Sequence, residues 1–275
     1  MSIESAHRQA KRVRRIAAIG QISSCAEGLR RNGSRRHREL LDSRASIATA
    51  MRGPISGRVG ALIENPRTPV VLDVTGLLCG CASLVASGNP RVRTATAVVQ
   101  LLGTAVARRR NVYGWDGADQ MQQVITLYDA ISGVVPDMRA RDDLFLRSIN
   151  AQAALAYCAS GLIKLVSDDW RSGRAFGLVM RTSAYGSADV SRIVERRPAI
   201  GFLMCWFTIV WETAFPIIYL LPAPAARIAL RFTKLFHLAT AHFMGIPRFF
   251  WAFTATHPAV EYLTALDTRD HTEAI

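Results

Sequence analysis

Lysine is nearly absent from this chain: of its 34 lysines and arginines, only Lys11, Lys164 and Lys234 are lysine. Arginine stays protonated almost everywhere, whereas a buried lysine can lose its proton. Two of the three lysines stand inside apolar segments, so their placement asks for an explanation. Cysteine is scarce too. Cys25, Cys79, Cys81, Cys158 and Cys205 are an odd number without the spacing of a small disulfide framework. Four of them lie in apolar stretches, where buried free thiols are expected. Cys79-Gly80-Cys81 has no second Cys/His pair close by to complete a tetrahedral site, so no metal is expected. The chain also lacks a Gly-rich phosphate loop, an HExxH motif, a nucleophile elbow and any internal repeat. A soluble nucleotide-binding or hydrolase reading therefore has no support.

What the chain does have is segregated. Half of its 275 residues are hydrophobic, yet its formal net charge is +13. Residues 1–68 are basic, with "RQAKRVRR" and then "LRRNGSRRHREL". The apolar piece "IAAIGQI" is too short for a secretory signal. Basic runs can bind nucleic acid. Ahead of long apolar segments they are better read as a cytoplasmic arm facing anionic lipid, partly disordered or interfacial, with no nucleic-acid partner.

A spanning helix needs about 20 mostly apolar residues. "PVVLDVTGLLCGCASLVASG" (69–88), "INAQAALAYCASGLIKLV" (149–166) and "PAIGFLMCWFTIVWETAFPIIYLLP" (198–222) meet that length or approach it. "TATAVVQLLGTAVA" (94–107) is shorter, and residues 118–135 are weakly apolar with Asp119 and Asp129. Residues 225–253 carry Arg227, Arg231, Lys234, His237, His242 and Arg248 among apolar neighbours. The expectation is an all-α integral membrane protein. It would be a polytopic helical bundle of about five spans, with one further segment tilted, re-entrant or interfacial. The positive-inside rule puts the N-terminus in the cytoplasm of a multi-pass cell-membrane protein. Residues 69–263 form the transmembrane domain in this reading, and 264–275 a polar tail.

Ionisable groups inside apolar runs are costly, and they mark candidate sites. Glu212 lies near the middle of its stretch, four residues before Pro216, which cannot bond the Glu212 carbonyl. It is either a structural interhelix hydrogen bond or a group that orients or charges a catalytic partner. Lys164 has Ser160 and Gly161 one turn back, Tyr157 two turns back and Asp168 one turn on. It is either a snorkelling cation paired with Asp168 or Asp169, or a base. Lys234 and His237 share a helix face; His242 is about 140° round from His237 and faces elsewhere.

The stretch "AYCASGLIKLVSDDWRSG" resembles the signature of the vitamin K-dependent γ-carboxylase membrane domain and its bacterial HTTM relatives. The motif is an aromatic residue, a small-Gly pair, Lys-Leu, an acidic stretch and Trp-x-x-Gly. Here those are Tyr157, Ser160-Gly161, Lys164-Leu165, Asp168-Asp169, Trp170 and Gly173. "NVYGWDGADQM" (111–121), "WETAFP" (211–216) and "FHLATAHFMGIPRFF" (236–250) are similar to further family segments, in the same order. The resemblance implies that Lys164 is a base, with Glu212 and His237 as further catalytic groups and Tyr157 on the same face. It also implies a reduced quinone cofactor and a peptide substrate.

Two departures stand against full carboxylation. The family histidine after Asn-Asn has no counterpart, and one extra residue separates Lys-Leu from Asp-Trp. The expected function is deprotonation of a carbon acid in a peptide, by epimerisation or carboxylation. This would tailor a ribosomal natural product in the bilayer together with a partner protein, such as a second membrane subunit. The competing expectation is a non-catalytic membrane subunit that scaffolds a modifying enzyme.

Overall fold

The computed structural model describes residues 3–32, 57–86, 88–110, 116–182 and 185–273, and every regular element among them is helical. Parts of five sequence readings lie outside the described residues: 1–2 and 33–56 of the basic stretch, 87 of the first apolar segment, 111–115 of the second motif, 183–184 of the later basic loop and 274–275 of the tail. The chain divides into two units. One is Lys11–Phe145; the other is Leu146–Ile275 together with the first ten residues.

The first unit holds most of α1 (Ile3–Asn32), then α2 (Gly57–Glu64), α3 (Thr68–Val85), α4 (Pro90–Arg110) and α5 (Gly117–Ser132). α3 opens with proline in its first turn, where the missing N–H would have had no partner anyway. α5 opens on a capping box: Asp116 accepts from the N–H groups of Ala118 and Asp119, and the Asp119 carboxylate accepts from the Asp116 N–H. α1 runs antiparallel along α3. A Cβ built on Gly76 would sit 2.6 Å from Cys25 Sγ, and one on Gly80 would sit 2.7 Å from Ile22. Glycine one turn apart on α3 is thus what lets α1 lie this close. Further along, Gly28 of α1 meets Asp73 of α3 in the same way. The α1 part of the basic N-terminal stretch is therefore packed: Val13, Ala17, Ala18 and Cys25 are buried. At the far end of α4, Arg110 is buried and its Nη1 donates to the carbonyls of Ile63 and Asn65.

The second unit holds most of α6 (Met138–Val166). The short helices α7 (Asp168–Arg171), α8 (Arg174–Arg181) and α9 (Ala188–Arg196) follow. α10 (Pro198–Ala214) tightens into a 3-10 turn at Phe215–Leu220 and leads to α11 (Ala223–Met244), α12 (Pro247–Thr254) and α13 (His257–Glu273). Residues 252–260, across the α12–α13 junction, are buried without interruption. Two glycines fix the packing around α10. Gly173 has φ +83°, and a Cβ there would lie 2.6 Å from Phe202 Cα. A Cβ on Gly161 would lie 2.4 Å from the Thr213 backbone nitrogen, so α6 and α10 touch at backbone distance.

Three helical segments among the described residues are long and apolar enough to cross a membrane: Thr68–Val85, Met138–Val166 and Pro198–Leu220. The two other expected segments form α4 and α5 but do not reach that measure. α4 begins and ends in arginines, and α5 has only 16 residues. Residues 225–253 form α11 and α12, separated by Gly245 at φ +65°.

Candidate functional site

A helix returns to nearly the same face every seven residues, with a drift of about 20°. On α6 that spacing carries three polar side chains: Asn150, Tyr157 and Lys164. Each meets a partner from another helix of the same unit. Tyr219 Oη donates to Asn150 Oδ1 at 2.9 Å, from the 3-10 turn. Tyr157 Oη lies 2.5 Å from His237 Nε2 of α11. Lys164 Nζ donates to Glu212 Oε2 of α10 at 2.5 Å. Successive rungs of this ladder are about 10.5 Å apart along α6.

The third rung joins residues that sequence reading had placed in separate arguments. Lys164 and Glu212 side chains are 17% and 12% exposed, so the pair is largely withdrawn from water. Lys164 Nζ also donates to Ser160 Oγ at 2.5 Å and lies 5.1 Å from the centre of the Trp170 ring. The backbone contact at Gly161 brings α10 near enough for Glu212 to reach across.

The alternative pairing with Asp168 or Asp169 does not occur. α6 ends at Val166 and Ser167 is extended, so both aspartates start a new helix. There Asp168 pairs with Arg171, and Asp169 pairs with Arg174. The Glu212 carbonyl is not left open by Pro216 either. The 3-10 turn lets the Phe215 N–H take it, one residue earlier than an α-helix would.

The second rung is dry and aromatic. Tyr157 and His237 are each 2% exposed. Phe215 stacks on the Tyr157 ring at 4.0 Å, and Phe253 stacks on His237 at 4.8 Å. α11 is not among the segments apolar enough to cross a membrane. Burial pushes the His237 imidazole down to about 3, so it is neutral near pH 7. Its bond to Tyr157 is then a neutral one, with donor and acceptor set by the tautomer. His237 Nδ1 has no hydrogen-bond partner among the described residues. The Glu212 carboxylate is an electrostatic neighbour of the Tyr157 phenol, which links the second rung to the third.

All four residues singled out by sequence (Tyr157, Lys164, Glu212 and His237) thus lie on this ladder. His242 is exposed and turned away from His237, and Lys234 is half-buried with His257 as an electrostatic neighbour. Sequence reading missed Asn150, Tyr219 and His257. Asn150 was findable, seven residues before Tyr157 on an apolar helix. His257 is fully buried, and neither ring nitrogen has a partner among the described residues. No group of three His, Cys, Asp or Glu side chains that could hold a metal ion occurs among the described residues. Comparison of the chain with protein-family models, with characterised proteins and with solved structures gave no match.

Proposed function

We propose that the chain is a multi-pass cell-membrane enzyme whose C-terminal unit moves protons along the face of α6. Its substrate is a peptide carbon acid, deprotonated for epimerisation or carboxylation, as the γ-carboxylase-like motif implies. The observation that carries the reading is the Lys164–Glu212 pair at 2.5 Å, between two helices apolar enough to cross a membrane. Transfer of the ammonium proton from Lys164 to Glu212 leaves a neutral amine, which then accepts the C–H proton of the substrate. The carbanion that forms takes a proton from water on its other face, or captures CO2, and the Lys164 ammonium gives up the abstracted proton to solvent. The Tyr157 phenol, one rung away and bonded to His237, borders this pair through the Glu212 carboxylate.

A quinone was implied by the motif. The Lys164 ammonium has its donors engaged by Ser160 and Glu212, so as it stands it offers a quinone oxygen no free donor there. The basic loops put residues 57–67 and Arg108–Arg110 on the cytoplasmic side. The Arg110 bond to Ile63 and Asn65 is consistent with that shared side.

One observation favours a second reading. The same ion pair, beside the Gly161–Thr213 contact, also serves as a lock between α6 and α10 in a non-catalytic subunit that scaffolds a modifying enzyme. Lys164→Arg separates the two. Arginine keeps a cation for Glu212 but cannot become neutral near pH 7. Cells carrying the chain and a candidate precursor peptide are grown in D2O, and the peptide is read by mass spectrometry. The enzyme reading expects deuterium uptake or a CO2 mass gain with the wild type and neither with Lys164→Arg, at equal amounts of protein in the carbonate-washed membrane. Unchanged product with Lys164→Arg would leave the lock.

A further inference from the structure

The first unit contains a second polar site that this function does not use. α1, α3, α4 and α5 enclose a cavity of about 50 Å³, with Arg14, Arg93, Gln122, Thr126 and Asp129 in its wall. That volume holds only a few water-sized groups. Arg14 is 9% exposed and reaches both neighbouring carboxylates. Its Nε donates to Asp129 at 2.7 Å, and its Nη1 lies 3.0 Å from Asp142. Arg14 Nη2 is buried and has no hydrogen-bond partner among the described residues. Arg93 is placed less favourably still. Its Nε stands 3.5 Å from Asp129, and both Nε and Nη2 are buried without a hydrogen-bond partner among the described residues. Gln122 Oε1, an acceptor, is also buried without a hydrogen-bond partner among the described residues.

Buried polar groups are nearly always hydrogen-bonded, and an unpaired one at a charged group is costly. Three such side chains from three helices, around one cavity, indicate a missing partner. The charge balance gives its sign. The charged neighbours of Arg93 are Arg14, Arg141, Asp129 and Asp142. With Arg93 itself that is three cations against two carboxylates, 3 − 2 = +1. The Arg141 guanidinium is held in place by the carbonyls of Val135 and Pro136. Guanidinium groups approaching from different helices suit an oxyanion whose oxygens diverge, more than a planar carboxylate.

We infer that this cavity binds a phosphate group, held by the free edges of Arg14 and Arg93, while Gln122 Oε1 accepts only from a phosphate oxygen that carries a proton. The group has two sources with the same chemistry. Ser83 and Ala86 put the cavity level with the C-terminal end of α3, a helix long enough to cross a membrane. An anionic lipid headgroup would lie at that level, and this source alone rests on the membrane reading. Free phosphate or a soluble phosphoester does not.

The test uses the full chain in an uncharged detergent. Thermal unfolding is followed with inorganic phosphate, acetate and chloride at matched ionic strength. In parallel, native mass spectrometry reads retained lipid after transfer from nanodiscs of phosphatidylcholine or phosphatidylglycerol. Phosphate should raise the midpoint where acetate and chloride do not, or phosphatidylglycerol should be selectively retained. The first outcome assigns a soluble ligand and the second a headgroup. Arg93→Met should weaken that binding about tenfold or more, since it removes a charge-assisted donor. It leaves Asp129 and Asp142 paired with Arg14. Gln122→Leu removes an acceptor and no charge, so it should weaken binding of inorganic phosphate, which can donate to it, and leave a phosphodiester headgroup unaffected. Phosphate and phosphatidylglycerol both without effect would overturn the site. So would stabilisation by acetate alone, or binding that survives unchanged in both variants.

Discussion

The two units bury charge in different ways. In the first, Arg14 and Arg93 face Asp129 and Asp142, and arginine keeps its charge even when buried. In the second, a lysine faces a glutamate, and both groups can change protonation state. The arginine cluster leaves buried donors unpaired, whereas Lys164 has its donors engaged. A fixed positive site with free edges suits holding something. The Lys164–Glu212 pair is saturated and leaves no such edge. In a chain with three lysines, this difference between the units is carried by which cation was placed where.

Removing a cation from the fixed cluster should have the largest effect. Arg14→Met takes the nearest cation from two buried carboxylates and should cost roughly 3–5 kcal/mol, read as loss of cooperative unfolding or a lowered midpoint in detergent. Equal stability with the wild type would mean that this cluster is not what holds α1 in place.

Gly161→Ala should be next. Its new Cβ would meet the Thr213 backbone 2.4 Å away and push α6 from α10. A loss of about 1–3 kcal/mol is expected, together with weakening of the Lys164–Glu212 pair. The same change at Gly103, where a Cβ finds only Leu72 at 3.6 Å, should be nearly silent.

A pH titration sharpens the contrast further. Burial lowers the His237 imidazole to about 3, against an ordinary value of 6.5, and His257 is lowered well below that value. The unfolded chain therefore binds more protons than the native one below pH 6.5. Stability conferred by these neutral groups is full above that pH and is lost as the pH falls. Unfolding followed between about pH 7 and pH 4 should show this decline, and replacing both histidines with phenylalanine should flatten it.

The smallest effect should come from Asp168→Asn. Asp168 is exposed and pairs with Arg171, three residues on. At most about 0.5 kcal/mol should be lost.

The cost of a charge in an apolar run made Lys164 and Glu212 legible from sequence. Their partnership was not, because it joins residues 48 positions apart and depends on the close approach at Gly161. Local spacing pointed to Asp168 and failed because the helix breaks at Ser167, which no strong signal marks. Tyr157 and His237 were named separately, on one helix each; their contact across 80 residues needed the structure. Helical class was plain from apolar segments too long and uninterrupted for strands. The arginine cluster went unread because Arg14 sits in a basic run that looks like solvated surface. Asp129, a lone charge within the apolar "VITLYDAISG", was the signal that something waited to pair with it.

The antiparallel packing of α1 on α3 bears on how the chain is made. From Arg14 beside Ser83 to Gly28 beside Asp73, the two helices lie side by side for most of the length of α3. If α3 crosses the bilayer, α1 goes with it, and the ends of α1 face opposite sides. The first 68 residues could not then all be cytoplasmic. Yet α1 is rich in arginine, and only some 15 residues, about 22 Å, separate Arg15 from Arg30. Such a helix would not leave the ribosome and enter lipid alone. It would have to wait at the surface until α3 was synthesised and offered its glycine face, so that the first helix translated would be among the last to insert.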